Sequence, residues 1–137
     1  MKPYIHKVNY YETDKMGITH HSNYIRFMEE ARTDFLEKLG YGYARMESEG
    51  LISPTVSVNV EYKKPTTYAD LIEIYVSITK VTPVRSFWKY EMKVNGDVVC
   101  VGTSSHCFID SNGKPVATTR VCPELYKILL SVETKED

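Results

Sequence analysis

The spacing of apolar residues changes once along this chain, from a helical period to the period of two found in strands, and that change limits the fold more than any other feature. Between Ser22 and Leu39, the residues Tyr24, Met28, Ala31, Phe35 and Leu39 follow one another at helical spacing, with Ile25, Phe27 and Leu36 widening the stripe. At roughly 1.5 Å per residue this segment makes a helix of about 27 Å, long enough to run the width of a small sheet. Ser22 or Asn23 can cap its start by accepting a backbone N–H, and Gly40 beyond its end can take positive φ. From Leu51 onward alternation takes over. Val56, Val58, Val60 and Tyr62 alternate with Ser57, Asn59 and Glu61, which predicts a strand with one side on the core and the other toward water or a partner. Further alternating runs follow in Ile72, Ile74, Val76 and Ile78, and in Ser86, Trp88, Tyr90, Met92 and Val94.

The connections between these runs set their direction. Asn95-Gly96 tolerates the positive φ of a tight hairpin and joins the third run to Val98 through Ile109, and Asn112-Gly113 closes that strand before Val116. Upstream, Lys2 to Tyr11 reads as a first strand, and Tyr41 to Gly50 reads as a turn with one further helical turn. Pro123 marks the start of a short helix over Glu124 to Val132, with Glu133 to Asp137 frayed. The predicted class is therefore α+β: a strand, a long helix, four strands joined largely by hairpins and hence antiparallel, and a short terminal helix. One helix cannot cover both faces of such a sheet. With Tyr75, Phe87 and Val101 at outer positions, a homo-oligomer of even subunit number is expected.

A length of 137 residues and a hydrophobic content of 42% suit one domain, 1–137, with a core that needs neither disulfides nor metal. The formal net charge of -1 gives no electrostatic footprint for nucleic acid, which is not expected as a partner. No apolar run has transmembrane length and the first residues show no basic segment followed by an apolar stretch, so neither membrane insertion nor secretion is expected and the cytoplasm is the expected location. Cys100, Cys107 and Cys122 lack a C-x-x-C spacing and read as reduced packing residues. The 11 tyrosines suit strands and interfaces where a ring is buried and its hydroxyl finds a partner.

The chemistry concentrates before the long helix. Asp14 and the hinge at Gly17 lie close enough to the helix start for a carboxylate to fold back toward free N–H groups. A helix N-terminus offers donors and a partial positive charge of about half an elementary unit, which suits an oxygen gaining negative charge. Thioester hydrolysis needs little more, because the thiolate is already a tolerable leaving group. Asp14 could attack directly or could activate water. Taken alone, a loop aspartate next to Lys15 more often caps a turn or balances charge; the adjacent helix start tips the reading toward chemistry. His20 and His21 have no zinc-ligand spacing with His6 or His106. Ser104 and Ser105 lack a G-x-S-x-G elbow and alternate to opposite faces.

The loop and helix start take the form Y-x-x-x-D-x-x-G-x-x-x-H-x-N-Y, carried by Tyr10, Asp14, Gly17, His21, Asn23 and Tyr24. With the chain length and the strand order, this resembles the hotdog-fold acyl-CoA thioesterases of the 4-hydroxybenzoyl-CoA thioesterase and YbgC-like group. The resemblance implies a long central helix wrapped by a curved five-stranded antiparallel sheet. It implies that Asp14 is the nucleophile or general base, that the backbone N–H of His21 holds the thioester carbonyl oxygen, and that Tyr10 stands beside the carboxylate. Gly17, Asn23 and Tyr24 would then belong to the substrate site. Apart from the resemblance, Arg85, Lys89, Lys63 and Lys64 are candidate phosphate contacts because they are cations on or beside strands, and each taken singly reads as ordinary solvated surface. No metal or cofactor is implied beyond the coenzyme A of the substrate. The expected partner is acyl-CoA or acyl-carrier-protein, bound by a homodimer or homotetramer. A non-catalytic acyl-binding hotdog protein remains an alternative, and a hotdog dehydratase ranks behind both.

Overall fold

The computed structural model describes residues 1–134. Its five strands are β1 (Tyr4–Lys7), β2 (Thr55–Tyr62), β3 (Leu71–Val81), β4 (Arg85–Val94) and β5 (Asp97–Cys107), paired antiparallel throughout in the order β1-β3-β4-β5-β2. The helices are α1 (Asn23–Lys38), α2 (Tyr43–Ser48), α3 (Thr118–Val121) and α4 (Pro123–Ser131). Only β3, β4 and β5 form the expected hairpin meander. The segment after β2 instead crosses the sheet, because β1 occupies the free side of β3 and β2 the free side of β5. Register shifts at Thr55/Ser57, Ile78/Lys80 and Met92/Lys93 bend the strands and raise their twist, which lets the sheet curve around α1.

The core lies between α1 and the three central strands. Trp88, Tyr90 and Met92 of β4 and Ile72, Ile74 and Ile78 of β3 are buried at alternate positions, as their period requires. They meet Phe27, Met28, Ala31, Phe35 and Leu36 from α1. Each large side chain buried there contributes about 1.5–3 kcal/mol from apolar area removed from water. Gly102 of β5 leaves room for Met28: a Cβ there would lie 3.0 Å from Met28 Sδ and 3.2 Å from the Asn59 carbonyl oxygen. Arg32 is also buried, although nothing in its spacing marks it out. It donates from Nε to Tyr43 Oη at 2.9 Å and from Nη1 to Tyr90 Oη at 3.0 Å. The network continues from Tyr90 Oη to Ser104 Oγ at 2.8 Å and from Ser104 Oγ to His106 Nε2 at 2.8 Å.

Several sequence expectations change. β2 was expected to bury one side, yet Val56 and Val58 stay 47% and 38% exposed. A helix about 10–12 Å across covers two or three strands spaced about 4.8 Å apart, and β2 lies beyond that reach at the sheet edge. The first strand ends at Lys7, because Tyr10–Glu12 winds into a 3-10 turn in which the Glu12 carboxylate accepts the Asn9 N–H at 2.7 Å. Neither Ser22 nor Asn23 caps α1 with its side chain. Asn95-Gly96 forms the expected hairpin with φ of 51° and 85°. At Asn112-Gly113 only Gly113 has positive φ, and a single bridge, Ile109 to Pro115, stands in place of a ladder, held by the Asp110 N–H on the Lys114 carbonyl at 2.9 Å and the Val116 N–H on the Phe108 carbonyl at 3.1 Å. The short helix α3 was not expected, and α4 starts at Pro123 itself. Glu133 is held rather than frayed: it bridges Ile78, and its Oε2 accepts the Val81 N–H at 2.7 Å. The rest of the supposed tail, Lys135 to Asp137, lies outside the described residues. Cys100 and Cys122 are buried and unpaired with each other.

Candidate active site

The site is built from a loop that closes on itself before entering a helix. Thr13 and Thr19 form an isolated bridge, the Asp14 N–H donates to the Ile18 carbonyl at 2.8 Å, and Gly17 makes the return with φ of 80°. The Asp14 carboxylate takes the Met16 N–H on Oδ1 at 2.8 Å, which leaves Oδ2 with no protein donor among the described residues. The segment between β2 and β3 buttresses this loop from below. Thr66, 2% exposed, accepts the Thr19 N–H on its carbonyl at 2.8 Å, while its hydroxyl meets Thr19 Oγ1 at 2.6 Å and Tyr24 Oη at 2.9 Å. Thr67 Oγ1 donates to the Gly17 carbonyl at 2.8 Å.

Beyond Thr19 the chain turns into α1. The carbonyl of Glu12 accepts both the His20 N–H and Asn23 Nδ2, each at 2.8 Å, so Asn23 anchors the helix start instead of capping it. The Ser22 N–H reaches His20 Nδ1 at 3.2 Å, and those of Asn23 and Tyr24 reach the carbonyls of His20 and His21. Among the described residues no acceptor pairs with the His21 N–H. The His21 carbonyl accepts Tyr62 Oη at 3.0 Å, and its exposed ring stacks on His20 at 4.3 Å.

A cleft of about 350 Å³ opens here. Asp14, Met16, Ile18 and Thr19 form one wall, His21 and Tyr24 the helix side, and Tyr62, Lys63, Lys64 and Pro65 the wall from the end of β2. Burial pushes the Tyr24 phenol up, so it stays a neutral hydroxyl in the Thr66 network. Lys63 and Lys64 are exposed and lie 3.4 Å and 3.6 Å from Glu61 and Asp97, loose surface pairs that an anionic ligand can displace at little cost.

The structure thus brings Asp14, His21 and Tyr24 to one cleft, whereas Gly17 and Asn23 do not line it: Gly17 turns the loop and Asn23 anchors the helix start. Tyr10 is elsewhere: 76% exposed, it packs edge-on against Tyr68 and does not line the cleft. Arg85 and Lys89 are also away from it, on β4, where Lys89 shares a shallow groove with Tyr75, Ser77 and Glu91. Of the four cations considered from sequence, Lys63 and Lys64 are the ones beside Asp14. Tyr62 and Thr66 were not anticipated, because only the crossing from β2 to β3 carries them to the loop. His6 is engaged with Glu12 and His106 with Ser104, and among the described residues no cluster of three or more His, Cys, Asp or Glu side chains is placed to hold a metal ion. Nor is any described helix long and apolar enough to cross a membrane.

A long helix held in a curved antiparallel sheet of this strand order, with a carboxylate loop at the helix start, is the hotdog fold. The chain belongs to the thioesterase-like superfamily, whose family model matches residues 8–129. The solved DHNA-CoA thioesterase of Staphylococcus aureus superposes with a TM-score of 0.92 at 34% identity, over 96% of this chain and 89% of that one. YneP of Bacillus subtilis (strain 168), which carries a provisional acyl-CoA thioesterase name, is 34% identical over 86% of this chain and 87% of its own. The acyl-CoA thioester hydrolase YbgC of Escherichia coli O6:H1 is 31% identical over 55% of this chain and 56% of its own.

Proposed function

We propose that this thioester hydrolase acts on an acyl-CoA, releasing a free acid and coenzyme A. The observation that carries the reading is the single cleft shared by the Asp14 carboxylate and the unpaired His21 N–H, with Lys63 and Lys64 along the same wall. The thioester carbonyl oxygen accepts the His21 N–H, at the positive end of the α1 dipole, where negative charge develops as the carbonyl carbon is attacked. Asp14 either attacks that carbon itself, giving a mixed anhydride that water then cleaves, or takes a proton from the attacking water. In both routes the coenzyme A thiolate leaves. Lys63 and Lys64 supply cations for the phosphates of the nucleotide. The names of the Staphylococcus and Escherichia relatives support coenzyme A as the carrier.

The chain works in this reading as a homodimer or homotetramer, because β2 presents an unpaired edge with exposed valines directly beside the cleft. The test is release of free thiol from short, medium, long and aromatic acyl-CoAs with no metal added. Turnover of at least one is expected. Loss of that activity on chelation would replace the metal-free mechanism, and activity only on acyl-carrier-protein thioesters would replace the partner.

A further inference from the structure

Behind the catalytic loop, one buried imidazole joins three segments of the chain. His6 of β1 is 7% exposed and lies over the Phe27 ring, with centroids 4.0 Å apart. Its Nε2 is 2.8 Å from Glu12 Oε1 in the 3-10 turn, and its Nδ1 is 3.0 Å from Glu30 Oε2 on α1. A neutral imidazole carries one N–H, so two carboxylate contacts require a further proton shared within the three groups. Desolvation raises the Glu30 carboxyl, with His6 acting against it.

Glu12 is the hub. It is 6% exposed, and besides His6 its Oε1 takes the Asn9 N–H at 2.7 Å and Asn9 Nδ2 at 3.2 Å. Its carbonyl is the acceptor that holds both the His20 N–H and the Asn23 side chain, the two residues flanking the segment that carries the His21 N–H. A buried carboxylate that lost one of its partners would shift to recover solvent or another donor, and its own carbonyl would move with it.

We propose that His6 is a positioning residue for the hydrolysis: by joining Glu12 to Glu30 it fixes the Glu12 carbonyl, and through His20 and Asn23 it aims the His21 N–H at the reacting carbonyl. This rests on the assignment of that N–H as the oxyanion donor. A purely structural His6 would affect stability alone; a positioning one affects the transition state more than binding.

The test compares the full-length protein with His6→Phe, which keeps the ring over Phe27 but removes both polar contacts, and with His6→Gln, which keeps one donor toward Glu12. Amide exchange is read at His20 and Asn23, with Tyr90 and Met92 of β4 as internal references, and kcat and KM are measured on an acyl-CoA that the wild type hydrolyses. In His6→Phe the His20 and Asn23 amides should exchange about tenfold faster or more while the references are unchanged. Its kcat should fall roughly 10- to 100-fold with KM within about threefold, and His6→Gln should recover part of kcat. Should His6→Phe not fold, Glu30→Ala removes the other end of the contact at an exposed position and is read the same way. Unchanged exchange and kcat in a folded variant would overturn the proposal. Faster exchange with an unchanged kcat would overturn the link to the oxyanion donor. A wild type inert toward every thioester would overturn the functional reading instead, and the exchange result would still decide whether His6 fixes the loop.

Discussion

Asp14 and His21 contribute to the cleft through different atoms, and substitution separates them. Asp14→Asn keeps the side-chain size and an acceptor for the Met16 N–H but removes the carboxylate proposed as nucleophile or base, so kcat should fall by roughly 10² to 10⁴. His21→Ala leaves the backbone donor in place, and its loss should be well below the 10² to 10³ typical of removing an oxyanion donor. If His21→Ala matched Asp14→Asn in a variant folded by circular dichroism, the imidazole would be acting as acid, base or ligand. A second residue reports on stability. Burial pushes the His106 imidazole down to about 4 from an ordinary 6.5, with the Arg32 charge adding to the effect. Below about pH 6.5 the unfolded chain therefore binds more protons than the folded one. The contribution is whole above that pH and is lost as the pH falls toward about 4, by on the order of 3 kcal/mol. Urea unfolding at pH 7 and pH 4.5 should show this loss, and His106→Asn should show a smaller pH-dependent part of it.

At the scale of elements, the packing of α1 on β5 turns on one glycine. Met28 is 1% exposed and fills the space over Gly102, so a side chain there meets both a packed sulfur and the fixed Asn59 carbonyl. Gly102→Val should destabilise the fold by about 1–3 kcal/mol, through overpacking, in chemical denaturation. Combining it with Met28→Ala should give less than the sum of the single effects, since the truncated side chain makes room. If the two effects simply added, the contact with the β2 backbone would be the dominant clash. The loop has the opposite character: its shape comes from hydrogen bonds to Glu12 just before it and to Thr66 and Thr67 of the β2–β3 connection rather than from apolar packing.

For the whole molecule, the two sheet edges are unequal. β1 ends after Lys7, whereas β2 runs from Thr55 to Tyr62 with one side unpaired and Val56, Val58 and Tyr62 exposed. Long apolar edges of this kind pair with another chain or are otherwise protected, and a two-fold pairing through one self-complementary patch is the simplest closed solution. Light scattering should give an even-numbered homo-oligomer at micromolar concentration. Val58→Lys should shift it toward monomer and lower activity, because Tyr62 at the end of the same strand lines the cleft. A wild-type monomer would remove the basis for a cleft completed by assembly.

The sequence by itself determined the parts governed by local periodicity and backbone freedom. The long helix, the alternating burial of Ile72 to Ile78 and of Ser86 to Met92, the Asn95-Gly96 hairpin and the loop bearing Asp14 before a helix start are all legible there, because each depends on residues a few positions apart. Only the tertiary structure decided that β2 crosses to the far edge, which left its valines uncovered and brought Tyr62, Lys63, Lys64 and Thr66 to Asp14. The same holds for Arg32 in the core and for His6 between Glu12 and Glu30. A buried charge is tolerated through partners supplied by distant segments, and no spacing along one strand or helix records which segments those will be.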